Sequence, residues 1–497
     1  MFSPELIELL RQKLSLLSPS LVGLGFELVL AGVGLFLLLL DVLLPKKPAI
    51  FFWWMATGGL LTAGAVLAGA HFYFPVEASS YLLGKMLRIT PETLYFKGLL
   101  GISALLTLWM LRGSAFFHRV NFPVGAFLFL FLSNVLGLSV LAMSAHWLSV
   151  YFSLELVSVS AYLLTAFHFE PRAGEGSIKY LLFGAAASAV MLYGLSFLYG
   201  FTGTLEIFSP AFLQVPVSKH PVLGLVWALA LGGLLFKMAA FPFHIWAPDV
   251  YQSAPTPIVA FFSVAPKVVA LWVLWQIASF LYEIEELRRL FSLFWAGVAL
   301  LSIGLGNFAA LWQTHLKRLM AYSSIAQTGF LLVVLVVPSP GGFSALVFYT
   351  AVYALMNFGF FWGIEKMASP KETLDCLAGK GREQILAGGV WVLMAISLVG
   401  LPPTAGFTAK LFIFSGLWEA YQVWSHPALL SLFIFGLLNA AVSLFYYLKI
   451  PFWLFFKEKS TKDSLDKIPY FDLLVMAVLG LGILLLFFRP DFLLPLR

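Results

Sequence analysis

Long apolar runs alternate with short polar connections along the whole chain. A helix needs about 20 residues to cross a bilayer, and these runs reach that length. We therefore predict fourteen membrane-spanning segments, with residues 202–220 as a surface loop and residues 78–88 as a short interfacial helix. The approximate bounds of the segments are 20–44, 50–74, 92–111, 122–144, 146–168, 177–201, 221–250, 255–281, 288–310, 315–337, 342–367, 385–420, 427–455 and 468–488.

Two of these segments are interrupted by proline beside a lysine. In LLFKMAAFPFHIWAP, Lys237 precedes Pro242 by five residues, and in SLVGLPPTAGFTAKLFIF, Lys410 follows Pro403 by seven. A lysine on opposite sides of the break is what two inverted copies of one unit would give, and inverted repeats with discontinuous helices are a known transporter plan. A kink with a purely structural purpose is the alternative for either proline taken alone.

The broken segments are the seventh and the twelfth, which predicts two inverted five-helix repeats. Spans four to eight form the first repeat, residues 121–285, and spans nine to thirteen form the second, residues 286–456. Residues 1–120 carry flanking transmembrane helices, and residues 457–497 carry a loop and the final helix. The predicted fold class is an all-α polytopic membrane protein with about fourteen transmembrane helices.

Composition excludes a soluble protein. Of 497 residues, 61% are hydrophobic and 11% are charged, with a mean hydropathy of +0.94, whereas soluble domains carry roughly 25% charged residues. Runs of Leu, Phe and Ala favour helices over the alternating strands of a membrane barrel. The net charge of +6 does not indicate nucleic-acid binding, because the basic residues lie mostly between spans and form no patch interleaved with aromatic residues.

The loop charges also predict the orientation of the chain. Lys and Arg are more frequent in the connections opposite the termini than in those on the side of the termini. The excess places both termini outside the cytoplasm, on the periplasmic side. Cys376 is the single cysteine, so the sequence predicts no disulfide, Cys-rich metal site or iron–sulfur site, and the thiol faces the reducing side.

Ionisable residues inside the predicted spans are the candidates for function. A lysine near the bilayer centre costs ~2.5–3.5 kcal/mol even on a lenient scale, so such residues usually mark ion pathways. Lys237 and Lys267 flank the first break, and a desolvated lysine can exchange its proton. Glu155 lies inside an apolar span, where it is either a carboxyl held neutral by burial or the partner of Lys237 across the bundle.

Three further residues extend this set. His244 follows Pro242, and its imidazole either relays protons between the two lysines or makes only structural contacts. Lys179 lies one turn inside its span and is either a modulator on the side of proton uptake or a side chain that extends to the interface. Lys410 resembles Lys237 in its setting and continues the line into the second repeat.

The other charged residues near the spans have simpler explanations. Five of them are interpreted as interfacial anchors or as side chains that extend to the interface: Lys97, His315, Lys317, Arg318 and Lys449. Asp249 is interpreted as a turn or cap residue beside Pro248. Glu365 either pairs with Lys366 or faces the bundle, and the sequence does not decide between them.

The stretch FKMAAFPFHIWAPDVYQSAPTPIVAFFSVAPK closely resembles the broken-helix signature of the antiporter-like subunits of proton-pumping NADH:quinone oxidoreductase, respiratory complex I. SIKYLLFGAAASAVMLYGLSFLYGFTG, KRLMAYSSIAQTGF and LPPTAGFTAKLFIF resemble the same family at their expected positions. The resemblance covers essentially the whole chain. DVYQSAPTPIVAF resembles the subunit N branch. Lys410 is also similar to that branch, whereas subunit M and its antiporter cousin typically carry a glutamate in the twelfth span.

The resemblance implies a role for each candidate residue. Glu155 and Lys237 match the acid–lysine pair of the family, Lys267 the central lysine and His244 the relay histidine. Lys179 matches an additional charged residue on the path. Lys410 matches the residue near the exit on the periplasmic side. The implied function is proton translocation coupled to quinone reduction elsewhere in the complex.

The resemblance also implies what the chain binds. We expect no cofactor in this chain, with NADH, FMN, iron–sulfur clusters and quinone bound by partner subunits. The expected neighbours in a bacterial inner membrane are the small subunit K on one side and the antiporter-like subunit M on the other. A subunit of a multisubunit sodium/proton antiporter is the alternative function, and a purely structural spacer subunit is the third.

Overall fold

The computed structural model describes residues 21–44, 48–73, 80–119, 122–215, 222–368, 370–458 and 467–493. Over these residues the chain is a bundle of helices with one two-stranded hairpin. Twelve of the described helices are long and apolar enough to cross a membrane. The prediction of an all-α polytopic membrane protein is therefore confirmed.

Nineteen α-helices are labelled here in chain order within the described residues. They are α1 (Gly25–Leu43), α2 (Ala49–Tyr73), α3 (Pro91–Arg112), α4 (Val124–Ala142), α5 (Trp147–Ala166), α6 (Pro171–Thr202), α7 (Leu223–Ala230), α8 (Gly232–Met238), α9 (Ala247–Ser253), α10 (Thr256–Leu281), α11 (Glu285–Leu311), α12 (Leu316–Leu332), α13 (Pro340–Gly363), α14 (Lys380–Glu383), α15 (Ile385–Val399), α16 (Ala405–Trp424), α17 (Pro427–Tyr447), α18 (Lys449–Pro451) and α19 (Tyr470–Phe488).

Helix is the structure that these apolar runs must adopt, because every backbone amide and carbonyl in lipid has to be bonded within its own segment. Local signals fix where some helices begin. Thr90 caps α3, its hydroxyl accepting a hydrogen bond from the Thr93 amide at 3.2 Å. Proline occupies the first turn of α3, α6 and α17, where its missing amide proton costs nothing.

Helix α10 forms the centre of the bundle. The membrane-spanning part of α10 is fully buried, and the membrane-spanning part of α12 is almost fully buried. Helices α3, α4, α8, α12 and α13 all pack against α10, so a side chain in the middle of α10 is enclosed by other helices. Helix α12 packs along α11 on its other flank.

The two segments predicted to be broken are divided in the structure. The first consists of α7, α8 and α9, with residues 239–246 outside any helix. The second consists of α15 and α16, separated at residues 400–404. The twelve long apolar helices correspond to the other twelve predicted segments. The total of fourteen spans, the inverted relation of the two repeats and the domain boundaries stay predictions.

One local prediction is wrong. Instead of an interfacial helix at residues 78–88, strand β1 (Ser80–Leu82) pairs antiparallel with β2 (Leu87–Ile89); residues 78 and 79 lie outside the described residues. The connecting residues Leu83, Gly84 and Lys85 all have positive φ, a turn conformation that no right-handed helix contains. The predicted loop at 202–220 includes a short 3₁₀ turn at Pro210–Phe212, and residues 216–220 lie outside the described residues.

Candidate functional site

Lys237 occupies the last turn of α8 and is 2% exposed. Its Nζ has no hydrogen-bond partner among the described residues. The ammonium instead lies 5.2 Å from the ring centre of Tyr180, 5.6 Å from that of Phe236 and 5.7 Å from that of Tyr162. Aromatic faces attract a cation weakly, so the site holds the lysine without fixing its proton to one acceptor.

Glu155 lies on α5 and is half-buried at the side of the bundle. Ser188 on α6 donates a hydrogen bond to its Oε1 at 2.5 Å. Lys237 forms no ion pair with Glu155 in the described part of the chain. Tyr162, two turns further along α5, is the residue of this helix whose ring lies beside the lysine, so the acid–lysine pair stays a prediction.

The break after α8 leaves backbone carbonyls without helical partners, and side chains bond to two of them. The Trp246 indole donates to the Phe236 carbonyl at 3.0 Å. The Thr328 hydroxyl, from α12, lies 2.8 Å from the Met238 carbonyl. Ala239 takes a left-handed conformation as the helix ends. These bonds make a non-helical segment tolerable at this depth, as the physics of buried backbone requires.

His244 lies in the non-helical segment of the first break and is 8% exposed. Its ring stacks on Phe241 with 5.8 Å between ring centres. Its Nδ1 is buried and has no hydrogen-bond partner among the described residues. The structure therefore places the histidine at the break, as the sequence predicts, but bonds it to neither lysine.

Lys267 is completely buried near the middle of α10 and is held by α12. Its Nζ donates to the Ser324 carbonyl at 2.9 Å, to the Ser324 hydroxyl at 3.0 Å and to the Thr328 hydroxyl at 3.0 Å. All three acceptors are neutral, so no carboxylate compensates a charge here. A lysine in such a site can lose its proton at modest cost, which suits a transfer station.

Lys410 is the corresponding lysine beside the second break, on α16. Its Nζ donates to the Val399 carbonyl at 2.6 Å and to the Leu398 carbonyl at 3.2 Å. These two carbonyls end α15, where the helix has no amide to offer them. The ammonium also lies 4.6 Å from the ring centre of Phe330. The Lys410 side chain thus supplies the hydrogen-bond donor for two carbonyls at the second break.

The close approach of Lys410 requires glycine at position 400. Gly400 ends α15 with φ +87°, a conformation that residues with a Cβ rarely adopt. A Cβ built there would lie 2.8 Å from Cδ of Lys410. The sequence LVGLPP therefore sets both the end of the helix and the space for the lysine.

Helix α12 connects the two breaks, which the sequence analysis missed. Thr328 contacts the Met238 carbonyl of the first break, and the amide of Gln327, the preceding residue, donates to the Leu398 carbonyl of the second at 2.9 Å. Gln327 also accepts a hydrogen bond from the Tyr349 hydroxyl at 2.6 Å. The signal was the polar run SSIAQT inside an apolar span.

Lys179 does not simply extend to the membrane interface. Its Nζ lies 2.7 Å from Oε1 of Glu175 and 2.9 Å from Oδ2 of Asp249. Oδ1 of Asp249 lies 2.6 Å from Nη1 of Arg318. Asp249 is therefore an ionic bridge between α6 and α12 as well as a first-turn residue of α9, and the interpretation of Arg318 as a simple anchor is wrong. The cluster borders a cavity of about 220 Å³.

Lys317, the neighbour of Arg318, is also not an exposed anchor. It is 3% exposed, and its Nζ lies 2.8 Å from Oε2 of Glu372 and 2.9 Å from the Ala254 carbonyl. The Thr256 hydroxyl donates to the other oxygen of Glu372 at 2.7 Å. The first turn of α12 is thereby bonded to the residue that follows α9 and to the loop that contains Glu372. Through Glu372 it is also connected to the start of α10.

A second cavity, of about 300 Å³, adjoins the first and shares Arg172 and Gln252 with it. His168 and His315 line it from outside the membrane-spanning helices. Burial lowers the pKa of His168 to about 4 and that of His315 to about 4, so both imidazoles are neutral at pH 7. Glu365 lines the same cavity.

Lys97 does not reach the interface as expected. It is completely buried, and its Nζ lies 2.8 Å from Oε1 of Glu27 on α1. Ser139 donates to the same oxygen. Glu27 is an acid inside the first apolar run, a signal from which its pairing with a buried cation could have been predicted. Near the other end of the chain, Lys366 pairs with Asp472 at 3.1 Å rather than with Glu365.

The site consists of three buried lysines, Lys237, Lys267 and Lys410, each of which can bind a proton. Among the described residues no group of three or more His, Cys, Asp or Glu side chains could hold a metal ion. Fold and site together define a polytopic membrane protein of the antiporter-like class, with two broken helices and a lysine at each break.

The chain belongs to the NADH:quinone oxidoreductase/Mrp antiporter family, whose transmembrane family model matches residues 144–436. NADH-quinone oxidoreductase subunit N of Moorella thermoacetica is 35% identical over 427 residues, covering 85% of this chain and 86% of that one. Subunit N of Paramagnetospirillum magneticum is 37% identical over 380 residues, covering 74% of each. The resemblance to the subunit N branch is thus confirmed.

Solved structures agree with this assignment. A chain of respiratory complex I from Thermus thermophilus is 30% identical and superposes with a TM-score of 0.78, covering 95% of this chain and 98% of that one. A chain of the Mrp complex from Dietzia sp. has a TM-score of 0.80 at 17% identity, covering 95% of each. The second likeness concerns the fold alone.

Proposed function

We propose that this protein is a proton-translocating membrane subunit of NADH:quinone oxidoreductase. Relatives at 35% and 37% identity are named NADH-quinone oxidoreductase subunit N, which supports this assignment. Protons move along Glu155, Lys237, His244, Lys267 and Lys410. Lys179 modulates the end of this path where protons are taken up. The observation that carries the proposal is Lys267, a fully buried lysine at the centre of the bundle with only neutral acceptors around its Nζ.

Each lysine occupies a site from which a proton can be released. Aromatic rings surround Lys237, hydroxyls surround Lys267 and carbonyls surround Lys410. None of these partners is a carboxylate that would lock the ammonium in its charged form. A change of charge at Glu155 would change the electrostatic potential at Lys237, and this change is the proposed source of the ~2.3 kcal/mol that moving one charge against 100 mV requires.

The driving reaction takes place in other subunits. This chain has one cysteine and offers no iron–sulfur ligand set, so we place NADH, FMN, the iron–sulfur clusters and quinone in partner subunits. We place the small subunit K on one side of this chain and the antiporter-like subunit M on the other. Both termini face the periplasm of a bacterial inner membrane.

The test is Lys237→Ala in the assembled complex. NADH:quinone turnover and proton transport are measured together in membrane vesicles. We expect both to fall, because the lysine links Glu155 to the rest of the path. Normal values for both activities, with the variant subunit incorporated at the wild-type level, would show that the mechanism is wrong.

The second candidate is a subunit of a multisubunit sodium/proton antiporter, which the fold-level likeness to the Mrp complex favours. The same buried charges would serve it. The names of relatives at 35% and 37% identity weigh against it. Co-purification decides between them: hydrophilic subunits that oxidise NADH support the first function, and a set of small antiporter subunits supports the second.

A further inference from the structure

We propose that Gln327 and Thr328 are positioning residues that hold the two broken helices in a fixed relation, so that a displacement at one break also displaces the other. They are neighbours on α12, and each bonds to a carbonyl that a helix break has freed. The inference rests on the proposed function, because it concerns how the two lysine sites of the path are held relative to each other.

The first contact belongs to Thr328. Its hydroxyl shares its proton between the carbonyl of Met238, the residue after Lys237, at 2.8 Å and the Ser324 carbonyl of its own helix at 2.9 Å. The same hydroxyl accepts a hydrogen bond from the Lys267 ammonium at 3.0 Å. A displacement of the end of α8 therefore changes the hydroxyl that holds Lys267. The Thr328 side chain thus contacts both the first break and the central lysine, Lys267.

The second contact belongs to Gln327. Its amide nitrogen lies 2.9 Å from the Leu398 carbonyl, the same carbonyl that accepts from Lys410 at 3.2 Å. Its amide oxygen accepts from Tyr349 at 2.6 Å, which fixes the orientation of the side chain. A displacement of α12 therefore changes the acceptors of Lys410.

Burial makes these contacts strong and specific. Gln327 is 2% exposed and Thr328 is fully buried, so water cannot replace a lost partner, and an unsatisfied carbonyl at this depth is costly. Helix α12 between the two residues is continuous, and packed helices move as rigid elements. The two breaks therefore cannot shift independently while both bonds are kept.

A double-mutant cycle tests the link in the assembled complex, using Thr328→Val, Gln327→Met and both together. Proton transport per NADH oxidised is measured in membrane vesicles, with subunit content determined in parallel. We expect proton transport per NADH to fall by about two- to thirtyfold in each single variant, which corresponds to the range by which mutations modulate coupling between sites. The double variant should lose no more than the worse single variant, because one link cannot be cut twice.

Two further variants make the result interpretable. Thr328→Ser keeps the hydroxyl and should restore transport to the wild-type level. Thr107→Val, on α3, removes a fully buried hydroxyl that donates to the Ser103 carbonyl of its own helix, and it should leave transport unchanged. If the double variant does not assemble, Gln327→Met decides, because this substitution leaves the hydroxyl that holds Lys267 in place, and wild-type transport in Gln327→Met overturns the proposal.

Losses that multiply in the double variant would also overturn it, since they indicate two independent contacts. Lys267→Met is measured alongside to separate this inference from the proposed function. Wild-type transport in Lys267→Met refutes the proposed function itself. Loss of transport in Lys267→Met together with multiplying losses at Gln327 and Thr328 refutes only the link.

Discussion

Replacing Lys97 with methionine should destabilise the protein far more than the loss of an interfacial side chain would. The Lys97 and Glu27 side chains are 1% and 6% exposed, with Nζ and Oε1 2.8 Å apart. Ser139 donates to the same oxygen, while Oε2 of Glu27 has no hydrogen-bond partner in the described ranges. Without the lysine, the carboxylate would keep one neutral donor.

The expected magnitude follows from this geometry. Removing one member of a buried ion pair costs about 3–5 kcal/mol, because the other charge is left without compensation. Folded proteins are stable by only about 5–15 kcal/mol, so the loss from Lys97→Met is a large part of the total. Replacing both residues, with Glu27→Gln added, removes the stranded charge and should recover most of the stability.

Thermal melting of the purified complex, with detection of this subunit, measures the effect. Lys449→Met is the control, since its Nζ donates to the Leu311 carbonyl from a half-buried position, and we expect it to melt close to the wild type. The reasoning is refuted if Lys97→Met melts like the wild type, or if the double variant is no more stable than Lys97→Met.

Three further predictions concern the second break and the separate cavity that His315 and Glu372 line. Gly400→Ala should cost about 1–3 kcal/mol of stability and reduce proton transport, because the new Cβ displaces Lys410; a normal rate in vesicles contradicts this. Glu372→Gln should lower the melting temperature by stranding the Lys317 ammonium, and an added Lys317→Met should restore it. Burial lowers the pKa of His315 from 6.5 to about 4. Between these pH values the unfolded chain binds more protons than the folded chain, so stability falls as the pH drops from 6.5 toward 4. His315→Gln should flatten this pH dependence of the melting temperature between pH 7 and pH 4, and an equally steep fall in the variant contradicts the assignment.

The apolar runs and the prolines at the two breaks, Pro242 and the pair Pro402 and Pro403, were enough to predict the helical bundle and the positions of both breaks. Length and the need to bond every backbone group dominate in lipid. The lysines were also predictable, since an unpaired cation in an apolar run stands out. What these side chains contact was not predictable, because their partners come from distant helices. Lys97 illustrates this: its partner Glu27 lies seventy residues earlier in the chain.

The polar face of α12 escaped prediction for a related reason. Ser324, Gln327 and Thr328 are uncharged and small enough to pass as tolerated polar residues in a transmembrane helix. Only the packing of α12 between α10 and the second break gives them their partners. The pair Lys317 and Arg318 was interpreted as loop charge for the opposite reason, because a basic pair at a helix start is the usual topology signal.

Proton transport by complexes carrying Lys267→Met tests the central claim most directly. Lys267 is the fully buried lysine at the centre of the bundle, and methionine fills a similar volume without a proton to transfer. With the variant subunit fully incorporated, we expect proton transport in membrane vesicles to fall sharply and NADH:quinone turnover to fall with it. Wild-type values for both would contradict the proposal that protons cross this subunit.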